Sequence, residues 1–456
     1  MSDSFKSTLA FTIMALLLFA VGIFQSWSLS LTILNLCLIS AIMSLGVNIQ
    51  WGYAGLINIG IMGFAALGGL AAVIVSQSPV VEAWQVGGFG MIVSFFIIVF
   101  GVLIIIVIRK KIHTIMLKRF FIFLVIILMM ILLNKFYHPA VSAIESVNPA
   151  KTGFLGGLGM PIIISWFIGG LLAAGVAWVI GKVTLSLRSD YLAIATLGIS
   201  EIIIAILKHE DWLARGVKNV TGLPRPVPYE VNLQNTEWFI NLVEKINIKS
   251  LDRIIDLSEK KDLLRSLVIE SSSIFVKLCY SGLIVIVLLI ILYLSNRALN
   301  SPWGRMMRAI RDNEEAANAM GKNVVKHHLR VFILGSAVVG IAGAMLTTLN
   351  GQFTPGSYQP LRFTFLIWIM VIVGGSGNNL GAVLGGFFIW FLWIEAEPIS
   401  IFFMNLLTSG LSESSFLKSH LTESAPHLRL FIMGFVLLLT LRFRPKGLLP
   451  EKVRRV

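Results

Sequence analysis

The stretch SPWGRMMRAIRDNEEAANAMG, Ser301 to Gly321, is a highly charged block set between long apolar segments. Its residue types suit recognition rather than bond-making. Ser301-Pro302 is a helix start, with a hydroxyl to cap and a proline where the missing N–H costs nothing. Arg308 with Asp312, and Arg311 with Glu315, stand at the i,i+4 spacing that supports a solvated helix. Asp312-x-x-Glu315 has the form of a capping box and predicts a second short helix restarting at Asp312. Gly321 fits a left-handed terminating position. Between them Ala316, Ala317 and Met320 leave a small, shallow apolar face that could enter a groove closed to a bulkier helix. The pattern predicts a short helix offered to a soluble partner on the cytoplasmic side.

The elements that must position this block are almost entirely apolar. The chain is 56% hydrophobic and 13% charged, with a mean hydropathy of +0.86, where soluble domains average about 25% charged residues. Its apolar residues form runs near the ~20 residues that cross a bilayer. Candidate spans are Leu9–Phe24, Leu29–Ile49, Gly55–Val75, Gly88–Ile108, Phe120–Phe136, Met160–Ile180, Tyr191–Leu207, Ser273–Leu294, Leu329–Leu349, Phe363–Gly375, Leu380–Phe402 and Leu428–Leu441. Lipid offers no partner to an open backbone group, and the runs lack the alternation of barrel strands. The fold class is therefore an all-α polytopic membrane protein, a bundle of about 10–12 transmembrane helices at this length per span.

The net charge of +14 follows from topology. With a cytoplasmic N-terminus, Arg109-Lys110-Lys111, Lys118-Arg119, the Arg297–Arg330 block and the Arg442–Arg455 tail all fall inside, whereas Ser76–Gln85 falls outside without a Lys or Arg. Basic clusters that hug membrane edges do not describe a nucleic-acid binder. Cys37 and Cys279 both lie in predicted spans, so no disulfide framework or zinc spacing exists. Leu9–Phe24 is read as a retained first helix, although Lys6 before it and Ser26-Trp27-Ser28 after it have the form of a signal peptide. The chain is read as one transmembrane domain, 1–456, with an extracytoplasmic loop at 208–270, a cytoplasmic loop at 296–330 and a basic cytoplasmic tail at 442–456.

The 208–270 loop opens on Thr221-Gly222-Leu223-Pro224-Arg225-Pro226-Val227-Pro228, turn chemistry that forbids a continued helix. Leu242, Ile246, Leu251, Ile254 and Ile255 then recur at helical spacing among charges of both signs, predicting one or two amphipathic helices on the outer surface. Such helices would either dock a periplasmic partner or cap the bundle. Glycines crowd Gly52–Gly69 and Gly374–Gly386, and Ser336, Gly340 and Ala344 form a small-xxx-small stripe. Close helix packing explains most single glycines; the neighbouring Asn58, Ser376, Asn378 and Asn379 point instead to broken helices beside a path. Trp51, Tyr53, Asn48, Asn58 and Thr196 are its candidate lining, with interfacial anchoring the simpler role for Trp51 and Tyr53. Glu201, a carboxylate inside a span, serves either helix pairing or the path. Lys277, Glu395 and Glu397 are placed near outer span ends, where side chains can snorkel.

EAA-x-x-x-G in a late cytoplasmic loop resembles the coupling motif of permease subunits of bacterial ABC importers. WGYAGLINIG (Trp51–Gly60), RSDYLAIATLGISEI (Arg188–Ile202), the Ser301–Gly321 block, GGSGNNLGAVLGG (Gly374–Gly386) and RFRPKGLLP (Arg442–Pro450) together resemble the M-type permease of the branched-chain amino-acid family, in order over most of the chain. The resemblance implies a heteromeric importer in the bacterial inner membrane: this permease, a second H-type permease, two ATP-binding subunits and a periplasmic solute-binding protein. Glu315, Ala316, Ala317 and Gly321 would form the coupling helix on an ATPase, its approach fixed by Arg308, Arg311 and Asp312. The family's Gly-Gly element of the outer loop reads Arg215-Gly216 here, the tail of the broader coupling motif is only Ile333-Leu334, and Phe89–Phe136 reads as two extra helices relative to shorter members. Neither Gly181-Lys182-Val183 nor Gly321-Lys322-Asn323 is a P-loop, so no cofactor is expected on this chain and ATP would be used by the partner ATPases. Urea or short amides are alternative substrates. A stand-alone secondary carrier would need paired ionisable groups at mid-membrane. A membrane enzyme finds no nucleophile–base pair or metal set, and His113, His327 and His328 flank basic loops.

Overall fold

A computed structural model of the chain describes residues 3–149, 152–253, 256–409 and 416–451. Ile254, Ile255 and residues 452–456 of the basic tail lie outside that set. Each of the twelve predicted runs contains a helix: α1 Asp3–Phe24, α2 Trp27–Val47, α3 Ile61–Ser76, α4 Phe89–Lys111, α5 Ile115–Val147, α6 Ile163–Thr184, α7 Ser189–His209, α9 Leu257–Asn300, α12 Val324–Asn350, α13 Pro360–Gly374, α14 Asn379–Leu407 and α15 Leu428–Phe443. Between them lie the amphipathic α8 (Glu237–Ile246) and the two helices of the polar block, α10 (Pro302–Asp312) and α11 (Glu314–Ala319). Among the described residues nine helices are long and apolar enough to cross a membrane, and α3 and α13 are shorter apolar helices. The protein is an all-α, multi-pass membrane protein.

The short α3 shows why the glycines cluster. At ~1.5 Å per residue it falls short of the ~30 Å hydrocarbon layer. The residues before it, 55–60, are not helical. Irregular backbone at membrane depth survives only inside protein, and nearly all of α3 is buried against α12, α6, α7 and α13. The approach is backbone to backbone. A Cβ on Gly68 would stand 1.9 Å from the Gly340 carbonyl oxygen, and one on Gly343 would stand 2.0 Å from that of Ala65. Gly169 and Ala173 of α6 close on Gly340 from the other side. In the late cluster a Cβ on Gly385 would meet the Met370 carbonyl oxygen at 1.8 Å, joining α13 to α14. Close packing therefore accounts for Gly68 and Gly69 and for Gly374, Gly381, Gly385 and Gly386, whereas Gly375 and Gly377, with φ of +118° and +79°, shape the turn between α13 and α14; the backbone after α2 opens at 55–60.

α4 and α5 pack mainly on each other and leave a run of exposed apolar side chains from Phe89 to Ile131. At the end of the bundle opposite the polar block, Val220–Thr221 (β1) pairs antiparallel with Gln352–Phe353 (β2), Val220 opposite Phe353. Here the structure departs from the expected surface helices. α9 is continuous for 44 residues, about 66 Å at the helical rise, so the amphipathic residues after Leu257 are the outer extension of a spanning helix. α8 lays Phe239 and Val243 against its Val268, Val276 and Tyr280, which is the capping role. Lys277 does not snorkel; its ammonium donates to the Ser28 carbonyl at 3.0 Å. Glu395 is 4% exposed and accepts from Gln25 at 2.9 Å, and Glu397 pairs with Arg429.

Gly68→Ala should lower the thermal stability of the purified protein by about 1–3 kcal/mol, since overpacking forces backbone apart. Gly175→Ala, with nothing within 4 Å of its added Cβ, should change it by less than about 0.5 kcal/mol. Melting of both variants in one detergent checks the pair.

Candidate functional site

The polar block folds as a shelf. α10 turns Gly304, Met307 and Ile310 inward, and Met307 and Ile310 join Ile49 and Ala54, next to the break after α2, and Val324 and Val331 of α12 in one apolar cluster. Pro302 stands in the first turn as expected. Ser301 has extended backbone but does not cap; its hydroxyl donates to the Ala298 carbonyl at 2.6 Å. The restart falls one residue later than the sequence predicts. Asp312 closes α10, and Asn313 caps α11 by accepting from the Ala316 amide at 2.9 Å. Gly321 has φ of +76° with nothing within 4 Å of a would-be Cβ. Ala317 packs back onto the apolar cluster, so the outward apolar surface is narrower than expected: Glu315 and Ala316 are exposed, and Met320 is 81% exposed.

Neither helical ion pair forms. Arg308 instead donates to the Leu299 carbonyl at the end of α9 at 2.9 Å. Arg311 reaches across the shelf to Glu451 at 2.9 Å and to its neighbour Asp312 at 3.1 Å, and donates to the Gly52 carbonyl. Burial alone would lower the Arg311 pKa, but Glu451 and Asp312 more than offset it and hold the guanidinium above its ordinary value. Each arginine is drawn from its i,i+4 carboxylate to a backbone carbonyl at a helix end, Leu299 of α9 for Arg308 and Gly52 beyond α2 for Arg311.

That break is the second half of the site. α2 continues into a π-turn at Asn48–Gly52, Gly55 takes φ of +69°, and the chain runs open to Gly60. Side-chain amides wrap it. Asn48 donates to Asn379 at 3.0 Å and accepts from the Gly377 amide at 2.9 Å, and Asn379 donates to Asn296 at 2.7 Å. Gln50 donates to the Phe332 carbonyl (3.0 Å) and Ser336 (3.2 Å). Asn58 donates to Gln50 at 2.9 Å, and its carbonyl accepts from the Trp368 indole at 3.1 Å. Thr196 accepts from the Ile59 amide at 3.1 Å. Trp51 packs on Trp368 at 4.8 Å, and Tyr53 is 7% exposed; neither is placed as an interfacial anchor. The C-terminal tail closes the knot, with Leu448 and Leu449 amides donating to Val373 and Gly374 and Asn378 donating to Leu449.

The structure thus brings Arg308 and Arg311 near Tyr53, seats Ala317 on the cluster beside the break, and gathers Trp51, Asn58 and Thr196 around the open stretch after it, Trp51 and Asn58 through Trp368. Glu201 is not part of the knot. It is exposed on α7, in a groove with Arg362 and Arg429. Gln50, Trp368, Asn296 and Glu451 were not picked out by the sequence. Gln50 carries a visible signal, an amide inside an apolar run; Glu451 carries none. In the outer loop Arg215 takes φ of +57°, the left-handed conformation that glycine favours.

Arg311→Gln, Glu451→Gln and the double variant should show a coupling energy of about 0.5–3 kcal/mol in a thermal double-mutant cycle, the range for groups in direct contact. Additive effects would mean that the pair does not hold the tail.

Residues 151–441, well over half of the chain, match the family described as branched-chain amino acid transport system / permease component. Trp51–Gly60, Arg442–Pro450 and the whole α4–α5 hairpin lie outside the matched range. The chain is 26% identical over 289 residues to the high-affinity branched-chain amino acid transport system permease protein LivM of Escherichia coli, covering 62% of this chain and 56% of that relative. It is 27% identical over 174 residues to a probable branched-chain amino acid transport permease protein LivM of Methanocaldococcus jannaschii, 38% of this chain and 47% of the relative. A shorter match, 29% over 110 residues and 23% and 30% of the two chains, is to the fructose import permease protein FrcC of Rhizobium meliloti. The chain spans about half the length of the curated relatives it matches. No solved structure matches.

Proposed function

The chain belongs to the branched-chain amino acid transport system permease family, and from that premise we propose that it is a permease subunit of an ATP-binding cassette importer. In this reading it forms the translocation path with a second, H-type permease. Two ATP-binding subunits hydrolyse ATP on their own chains, and a periplasmic solute-binding protein delivers substrate. Branched-chain amino acids are the proposed cargo, supported by the names of the LivM relatives. The membrane is the bacterial inner membrane with both termini cytoplasmic. The gathering of Arg308, Arg311, Lys446 and the tail at one end of the bundle supports that orientation, by the positive-inside rule.

One observation carries the coupling role. The Glu315, Ala316 and Met320 face is exposed, while its back, Ala317, sits on the cluster that contains Ile49 and Ala54. A push on the exposed face therefore reaches the broken helix through packed side chains, and Arg311 ties the same shelf to the Gly52 carbonyl and Glu451. ATP-driven closure of two ATPases would move the shelf, and the break after α2 would be the hinge that changes access. Asn58 and Thr196 act in this reading by holding the hinge, not by touching cargo.

Gly321→Val tests it. A side chain at left-handed φ costs about 1–2 kcal/mol, yet the position faces open space, so the bundle should insert at normal levels. Uptake of a branched-chain amino acid should be lost while the permease is still present in the membrane. Unimpaired uptake in the variant would sink the coupling assignment.

A further inference from the structure

We propose that the lateral groove containing Glu201 is a subsite for the zwitterion of an apolar α-amino acid. The proposal rests on the transport reading above and adds a place where this chain itself would touch the cargo. The groove, of about 1060 Å³, lies between α7 and the start of α15, with the first turns of α13 as its floor. Glu201 stands in one wall. It is the thirteenth residue of α7, about 18 Å along from the helix start and about 12 Å from its outer end at the helical rise. It is exposed, and no described side chain hydrogen-bonds or ion-pairs with it. A bare carboxylate at that depth cannot face hydrocarbon; it marks water or a cationic ligand.

The opposite wall is cationic. Arg362 and Arg429 both lie over the Trp393 ring, each 4.9 Å from its centroid. Arg429 is already paired with Glu397. Arg362 stacks on Trp393 and Phe363 but pairs with no carboxylate among the described residues, so its planar fork of donors stays open to one. The rest of the lining includes the apolar Phe365, Leu366, Ile369 and Met433, with Lys208 on the Glu201 helix and His427 at the start of α15. An open carboxylate, an open guanidinium and an apolar strip are the three features that an amino acid with a hydrocarbon side chain requires. Arg362 lies in the first turn of α13, at the outer mouth, and Glu201 lies deeper. The zwitterion therefore enters with its ammonium toward Glu201 and its carboxylate toward Arg362. The open side of the groove is left for the second permease to wall.

The probe is photo-leucine, the diazirine analogue of leucine, applied to the purified complex in liposomes. Illumination should label residues 359–369 or 428–434. Excess leucine should compete. Isocaproate and isopentylamine, each lacking one of the two charges, should not. Glu201→Gln should weaken labelling about tenfold, the loss expected for one charge-assisted contact, and Glu201→Asp should recover part of it at equal insertion. Labelling elsewhere on the chain, undiminished labelling in Glu201→Gln, or equal competition by isocaproate would overturn the subsite. So would a retained aminophospholipid filling the groove, detected by mass spectrometry and lost in Glu201→Gln. ATP-driven uptake is measured on the same liposomes. Uptake without groove labelling removes the subsite alone, and groove labelling without ATP-driven uptake removes the importer reading alone.

Discussion

Everything at the polar end of this protein depends on how an interrupted helix is made tolerable inside a membrane. Lipid cannot hydrogen-bond the backbone released where α2 ends. The chain meets that constraint with side chains: Asn48, Gln50, Asn58, Thr196, Trp368 and Arg311 each bond a backbone group at or near the break or one another. The partners come from α7, α10, α12, α13 and the α13–α14 turn. A hydrogen-bonded network spread over so many helices fixes their relative positions more sharply than apolar contact, because an unmet polar group is costly in low dielectric.

The same network gives the break a mechanical address. The shelf of α10 and α11 has no independent core; it is seated on Ile49, Ala54, Val324 and Val331. Movement of the shelf therefore must either carry the break with it or expose that cluster. α12, by contrast, is locked to α3 and α6 through backbone approach at Gly68, Gly169, Gly340 and Gly343, where nothing can slide without a clash. A stiff core beside a hydrogen-bonded hinge is the arrangement a ligand-driven switch requires, since packed interfaces move between discrete states rather than deforming smoothly.

Much of this was legible in the chain, and the misses have physical causes. Each of the nine described helices long and apolar enough to span lies in a run that length and hydropathy mark out, and the other three runs hold the shorter α3, α13 and α15. Gly321 and Pro302 were readable because backbone conformation is a local property. The cap of α11 was misplaced by one residue, since Asp312 and Asn313 are both good caps and only the helix end decides between them. The Arg308 and Arg311 pairings were misread because local spacing knows nothing of Glu451, 140 residues on, or of a carbonyl stripped of its helical partner. The extension of α9 was hidden because an amphipathic helix reads alike whether it lies on a membrane or on a neighbouring helix. Glu201 stood out by charge alone, but its counterpart Arg362 sits at a helix mouth, where a cation is ordinary.

The proposed coupling requires α11 to be a docking face for an ATPase. The most direct measurement places a genetically encoded benzophenone at position 320, whose side chain is 81% exposed, and identifies its photoadducts in native membranes by mass spectrometry. Docking on α11 should give an adduct with a P-loop ATPase, absent when the same group is placed at the exposed Phe95 of α4. Adducts only with lipid or with this chain itself, while solute uptake proceeds, would contradict it.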